Sequence, residues 1–76
     1  MYTYFMFRRR YRTPEAGTYY SYEISVYGHL FLPPVRVIRD VSPDAQLVAR
    51  MVTTFNREQL PPDQLENAID DFLSLK

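Results

Sequence analysis

The chain contains no cysteine. No disulfide can brace it and no thiolate can hold zinc, so two common supports of small domains are closed to it. Secreted chains this short lean on disulfides, so the absence predicts a reducing, cytoplasmic setting. Glycine is scarce as well, with Gly17 and Gly28 the only two. Loops that cradle phosphate need several glycines to bring backbone N–H groups against the ligand, which excludes that type of nucleotide site. His29 is the only histidine. Placed between Gly28 and Leu30, it reads as an exposed loop imidazole. No Gly-x-Ser-x-Gly elbow or similar nucleophile signature accompanies it. No apolar run approaches the ~20 residues of a membrane span. The opening MYTYFMFRRR sets its apolar residues ahead of its charges, the reverse of a secretory signal, and is read as part of the mature fold. These absences predict a non-catalytic protein without metal or cofactor.

What is present is unevenly distributed. The chain has 76 residues and no net charge, enough for one domain with a thin core. Residues 1–41 carry six arginines against Glu15, Glu23 and Asp40, a surplus of three positive charges. Residues 42–76 carry Arg50, Arg57 and Lys76 against six carboxylates, a deficit of three. Ten of the twelve aromatic residues fall within the first 31 positions. Strands favour Tyr and Phe while helices tolerate Asp and Glu, so the division predicts strands first and helices after.

The periodicities agree. Aromatic-rich residues 2–12 predict a first strand. Thr13-Pro14-Glu15-Ala16-Gly17 predicts a turn, with proline presetting φ and glycine free to take φ > 0. Residues 19–27 alternate: Tyr20, Tyr22, Ile24 and Val26 on one face, Tyr19, Ser21, Glu23, Ser25 and Tyr27 on the other. Residues 35–41 predict a third strand. Ser42-Pro43-Asp44 then reads as a helix start, with Ser42 as cap and Pro43 as first helical residue. Leu47, Val48, Met51, Val52 and Phe55 form one stripe of a helix over 43–57. Leu60 and Leu65 are spaced as a hydrophobic staple for a second helix over 62–75, whose stripe is Leu65, Ala68, Ile69, Phe72 and Leu73. The predicted fold is α+β: a three-stranded antiparallel sheet with a C-terminal helical hairpin on one face. Phe55 and Phe72 are both expected in its core. For the hairpin, burial of Phe5 and Phe7 with Ile24 and Val26 predicts the pairs Phe7–Ile24, Phe5–Val26 and Arg8–Glu23.

Tyr27-Gly28 after the hairpin, Ile38-Arg39-Asp40-Val41 leading into a helix, and Asp71-Phe72-Leu73 near the end form a recurring order. In these the chain resembles a family of short, uncharacterised bacterial proteins classed as a domain of unknown function. Gln64-Leu65 stands where that family often has His-Leu. The resemblance spans most of the chain; it implies the same succession of hairpin and helices and no known activity.

Two clusters bear on function. Asp63, Glu66 and Asp70 share a face of the second helix, with Asp71 about 100° away; this reads as a solvated face, since a calcium site needs six to eight oxygens and a shaped loop. Arg8, Arg10 and Arg12 alternate along the first strand. Together with Tyr4, Tyr19 and Tyr27 they are expected to form an exposed aromatic and cationic sheet face. That face suits a protein partner, or a second copy of the chain, because aromatics and arginine are enriched in interface cores. It also suits nucleic acid, through stacking and phosphate contacts, though the RNA-recognition signature is absent. An anionic membrane or an acidic protein surface fits the same charges. Edge protection of a strand is the plain structural alternative.

Overall fold

The computed structural model describes residues 1–74. Strand β1, Thr3–Thr13, and strand β2, Gly17–Tyr27, form a long hairpin. Strand β3, Arg36–Ser42, joins β2 on its other side, so the antiparallel sheet runs β1-β2-β3. Helix α1, Ala45–Glu58, follows. A single 3-10 turn, Pro62–Gln64, leads directly into helix α2, Leu65–Ser74. The architecture is the expected α+β arrangement, with the helices packed on the sheet; residue 75 of the expected second helix lies outside the described residues. Tyr4, Ile24 and Val26 of the sheet bury against Leu47, Val48, Met51 and Phe55 of α1 and Leu65 and Ile69 of α2.

The hairpin register differs from the expected one by a single residue. Phe7 sits opposite Glu23, Met6 opposite Ile24 and Tyr4 opposite Val26. The turn decides this. Thr13 pairs with Gly17, leaving Pro14, Glu15 and Ala16 as a three-residue loop, and Gly17 takes φ 71°. The Thr13 hydroxyl accepts from the Ala16 N–H at 3.0 Å. A three-residue loop of this kind needs glycine in the left-handed region at its exit. A shift of one residue in register exchanges the two faces of a strand. Tyr4 and Met6 therefore face the helices, and Phe5 and Phe7 face away.

Two smaller expectations are corrected as well. Asp44, not Ser42, caps α1: its Oδ1 accepts from the Leu47 N–H at 3.2 Å. Ser42 is still paired with Tyr22 in the sheet, so it cannot adopt the cap position; its hydroxyl instead accepts from the Asp44 N–H at 3.1 Å. Phe55 is fully buried as expected, but Phe72 is only half-buried. It lies at the margin of the core, with its ring meeting Phe55 edge-on at 5.7 Å between centroids.

The C-terminus of α1 carries out an unusual task. Gln59 adopts φ 50°, ψ 53°, a left-handed conformation that costs an ordinary residue about 1–2 kcal/mol. The Leu60 N–H donates to the Phe55 carbonyl and the Gln59 N–H to the Asn56 carbonyl, the double bond pattern of a Schellman ending. Glycine usually fills this place, yet here the side chain is used. Gln59 Oε1 accepts from the Tyr2 N–H at 2.8 Å, and its Nε2 donates to the Tyr2 carbonyl at 2.9 Å. One turn earlier Asn56 repeats the arrangement on Tyr4, at 2.7 Å and 3.0 Å. Gln59→Gly should leave stability within about 0.5 kcal/mol of the parent, because relief of strain offsets the lost bonds. Gln59→Ala keeps the strain and loses the bonds, and should cost about 1–2 kcal/mol. Urea midpoints that rank the two in the opposite order would contradict this account.

Candidate functional site

The strands of the hairpin are longer than the helices that cover them. Eleven residues of strand span roughly 36 Å, against roughly 21 Å for the fourteen residues of α1. The sheet therefore leaves uncovered its helix-free face, the end of the hairpin, and the part of the outer edge of β1 beyond Tyr4.

The helix-free face carries Phe5, Phe7, Arg9 and Tyr11 from β1 and Tyr19, Ser21, Glu23, Ser25 and Tyr27 from β2, as the alternation of paired residues dictates. Phe5 and Phe7 remain 37% and 38% exposed. Their rings lie 6.3 Å apart, and Tyr27 meets Phe5 edge-on at 5.6 Å. The three small or acidic residues of the central strand are buried beneath these larger neighbours. Glu23 is held there by Arg9, Nε to Oε1 at 3.2 Å, while the Arg9 guanidinium also lies 5.6 Å from the centroid of the Phe7 ring. Ser21 Oγ is buried without a hydrogen-bond partner among the described residues.

Tyr11 and Tyr19 stack at 5.6 Å and together hold the irregular point of β3. There Asp40 takes φ 54°, tolerable because aspartate visits the left-handed region more readily than most residues. The Tyr19 hydroxyl donates to Asp40 Oδ2 at 2.7 Å, and the Tyr11 hydroxyl accepts from the Asp40 N–H at 3.1 Å. The bond to Asp40 raises the Tyr19 pKa above its ordinary value, because losing the proton would also lose the bond.

The expected binding face is thus divided. Tyr4 is in the core, 1% exposed, its ring edge-on to Phe55 and its hydroxyl donating to the Leu60 carbonyl at 2.6 Å. Arg8, Arg10 and Arg12 share the side of β1 on which Tyr4 lies, but beyond the reach of the helices, where all three are exposed. The Arg8 guanidinium lies 4.6 Å over the ring of Tyr20. Tyr19 and Tyr27 are on the opposite side. Sequence reasoning missed Phe5 and Phe7 as surface residues, Asn56 and Gln59 as partners of β1, and Arg9 as the counter-ion of Glu23. The turn Thr13–Gly17 held the signal for the first of these.

Elsewhere, Leu30, Phe31 and Leu32 form an exposed apolar loop, with Phe31 92% exposed. His29 lies in the same exposed loop, where its Nδ1 accepts from the Phe31 N–H at 3.2 Å. Glu66, of the acidic row, is engaged by Arg36. Among the described residues no three His, Asp or Glu side chains converge as they would around a metal ion. A shallow groove of about 400 Å³ lies over the helices, lined by Ala49, Arg50, Thr53, Thr54, Arg57 and Phe72. Two arginines and two threonines there supply hydrogen-bond donors, but the lining includes no carboxylate or imidazole to act as a base. No described helix is long and apolar enough to cross a membrane. Comparison with family models, with curated proteins and with solved structures finds no match to this chain.

Proposed function

We propose that this chain is a small, non-catalytic protein-interaction module that docks its partner on the uncovered part of the sheet. One observation carries the reading: Phe5 and Phe7 stand side by side, each more than one-third exposed, on a sheet face that no helix covers. A strand residue facing solvent is ordinarily polar in an antiparallel sheet with one covered face. Aromatic residues in that position supply large contact area at small entropic cost, as interface cores require. Arg9 and Tyr27 flank the pair and supply a polar rim.

The test is capture from nuclease-treated native lysate by the parent and by the double variant Phe5→Thr, Phe7→Thr. Threonine keeps strand propensity, and the expected loss of stability is about 1–2 kcal/mol. The variant should stay folded and lose the captured protein. Undiminished capture would remove this face from the function.

A second reading attaches to the basic end of the hairpin. There the chain is a two-stranded ribbon with Arg8, Arg10 and Arg12 along one side, and a ribbon of this width enters the major groove of DNA. Phosphate contacts from three arginines would give binding that falls with log salt at a slope of roughly −2.7. Elution from heparin at low salt, unchanged in Arg10→Glu, would dismiss this alternative.

A further inference from the structure

The outer edge of β1 is half closed. Tyr2 and Tyr4 turn their N–H and C=O groups away from β2, and each pair is met by a side-chain amide of Gln59 or Asn56. An amide side chain offers a carbonyl and an NH2 group, so it can meet the N–H and C=O of one strand residue as a peptide unit does. Asn56 and Gln59 therefore stand in for two rungs of a neighbouring strand. Backbone groups of alternate strand residues point the same way, so those of Met6, Arg8, Arg10 and Arg12 continue this edge. Among the described residues β2 is the sole strand neighbour of β1, and the side-chain hydrogen bonds to the outer backbone of β1 fall on Tyr2 and Tyr4, not on these four.

We propose that this open half, Met6 to Arg12, receives an extended acidic segment of a partner protein as an added strand. The proposal rests on the reading of the chain as a protein-interaction module and names the chemistry of the partner. Seven residues of edge span roughly 23 Å, matched to a strand of ordinary length. Arg8, Arg10 and Arg12 stand about 6.6–6.8 Å apart along one face of that edge, and none forms an ion pair among the described residues. Residues on an added strand lie about 4.5–5.5 Å from those directly opposite. An acid at every second position would thus face the arginine row. The positions between would lie beside Phe7, Arg9 and Tyr11 on the other face; Arg9 is already paired with Glu23, so the two rings favour apolar residues there. The added strand is recognised as alternating acidic and apolar.

The same arginines argue against a second copy as the occupant. Two β1 edges placed together would oppose arginine to arginine, and like charges directly opposite are destabilising. The charge that guards this edge against its own kind selects the complementary one. Main-chain hydrogen bonds supply affinity in strand addition, and the alternate side chains supply specificity.

The probe is a fluorescein-labelled, capped peptide of the sequence Val-Glu-Val-Glu-Val-Glu-Val. A second peptide carries the same side chains with alternate backbone nitrogens methylated, which preserves charge and removes the ladder. Anisotropy should show the first peptide binding at least tenfold more tightly than the second. Amide exchange at Met6, Arg8, Arg10 and Arg12 should slow at least tenfold on binding, while Tyr2 and Tyr4 should not change. The triple variant Arg8→Gln, Arg10→Gln, Arg12→Gln should keep its urea midpoint and bind at least tenfold more weakly. Equal binding of the two peptides, unchanged exchange at the four amides, or equal displacement by single-stranded DNA of the same charge would each overturn the proposal. If the peptide fails while lysate capture still depends on Phe5 and Phe7, the module reading stands and the edge proposal falls. Loss of both removes the two together.

Discussion

Tyr4→Ala is expected to destabilise the domain by roughly 4–6 kcal/mol, combining the loss of a buried aromatic ring with that of its hydroxyl bond. A chain of this length has a total stability of roughly 4–11 kcal/mol, so the variant should be largely unfolded in mild urea. The reason is its position: the ring is 1% exposed, meets Phe55 edge-on at 5.5 Å, and anchors Leu60 through a 2.6 Å hydrogen bond. Phe5→Ala, one residue along, should cost only about 1–2 kcal/mol, because more than a third of that ring is already in water. Urea midpoints in the reverse order would move the hairpin register by one residue. Tyr4→Phe isolates the hydroxyl and should cost about 1 kcal/mol. It should also weaken the alkaline limb. Burial, followed by the nearby Tyr2 and Asp63, raises the Tyr4 pKa above its ordinary value of 10. The folded state then holds this proton more tightly than the unfolded chain. The resulting stability is complete below pH about 10 and is lost as pH rises through the folded pKa. Stability of the Tyr4→Phe variant should fall less over that window, with Tyr19 supplying a remainder of the same sign.

Asn56→Ala should cost about 2–3 kcal/mol. Two backbone groups of Tyr4 lose their partners, each worth about 1–3 kcal/mol when buried, and partial access to water at the sheet edge reduces the sum. Alanine's better helix propensity returns at most about 0.7 kcal/mol. Asn56→Asp should fall between, since a carboxylate still accepts from the Tyr4 N–H but repels the Tyr4 carbonyl. Exposed Asn67 on α2 supplies the control, where alanine should change stability by no more than about 0.5 kcal/mol. Amide exchange at Tyr4 should accelerate in step with the urea midpoint. A midpoint for Asn56→Ala equal to that of Asn67→Ala would deny the side-chain bridge any role in holding β1.

The order of elements was legible because each is marked by local chemistry. Proline and glycine bracket the turn at 13–17, the stripe Leu47 to Phe55 has helical period, and Leu60 and Leu65 bracket the start of α2. The orientation of β1 was less accessible. Its even residues Tyr2, Tyr4 and Met6 and its odd residues Phe5 and Phe7 are equally apolar, so hydrophobic alternation could not choose between faces. Counting the loop from Thr13 to Gly17 would have chosen, since glycine at the exit of a three-residue loop fixes which residues pair. The same ambiguity carries directly into the candidate site, because the alternative register sets Tyr4 on one face with Tyr19 and Tyr27. The roles of Asn56 and Gln59 had no local mark at all. Both look like ordinary polar residues near a helix end, and their partners are more than fifty residues away.

That separation has a consequence during synthesis. The amides that close the edge at Tyr2 and Tyr4 are made 57 and 52 residues after them. At 5–20 residues per second the interval is roughly 3–11 s. Over the part of it that follows synthesis of β2, the nascent hairpin, once paired, presents an aromatic strand edge with no closure at one end and only arginine charge along the rest. The time to translate α1, rather than the intrinsic speed of hairpin formation, which takes about 1–10 μs, sets how long this strand is open to wrong partners. Slow codons between β2 and the end of α1 should therefore lower the yield of folded protein, whereas the same codons within α2 should not.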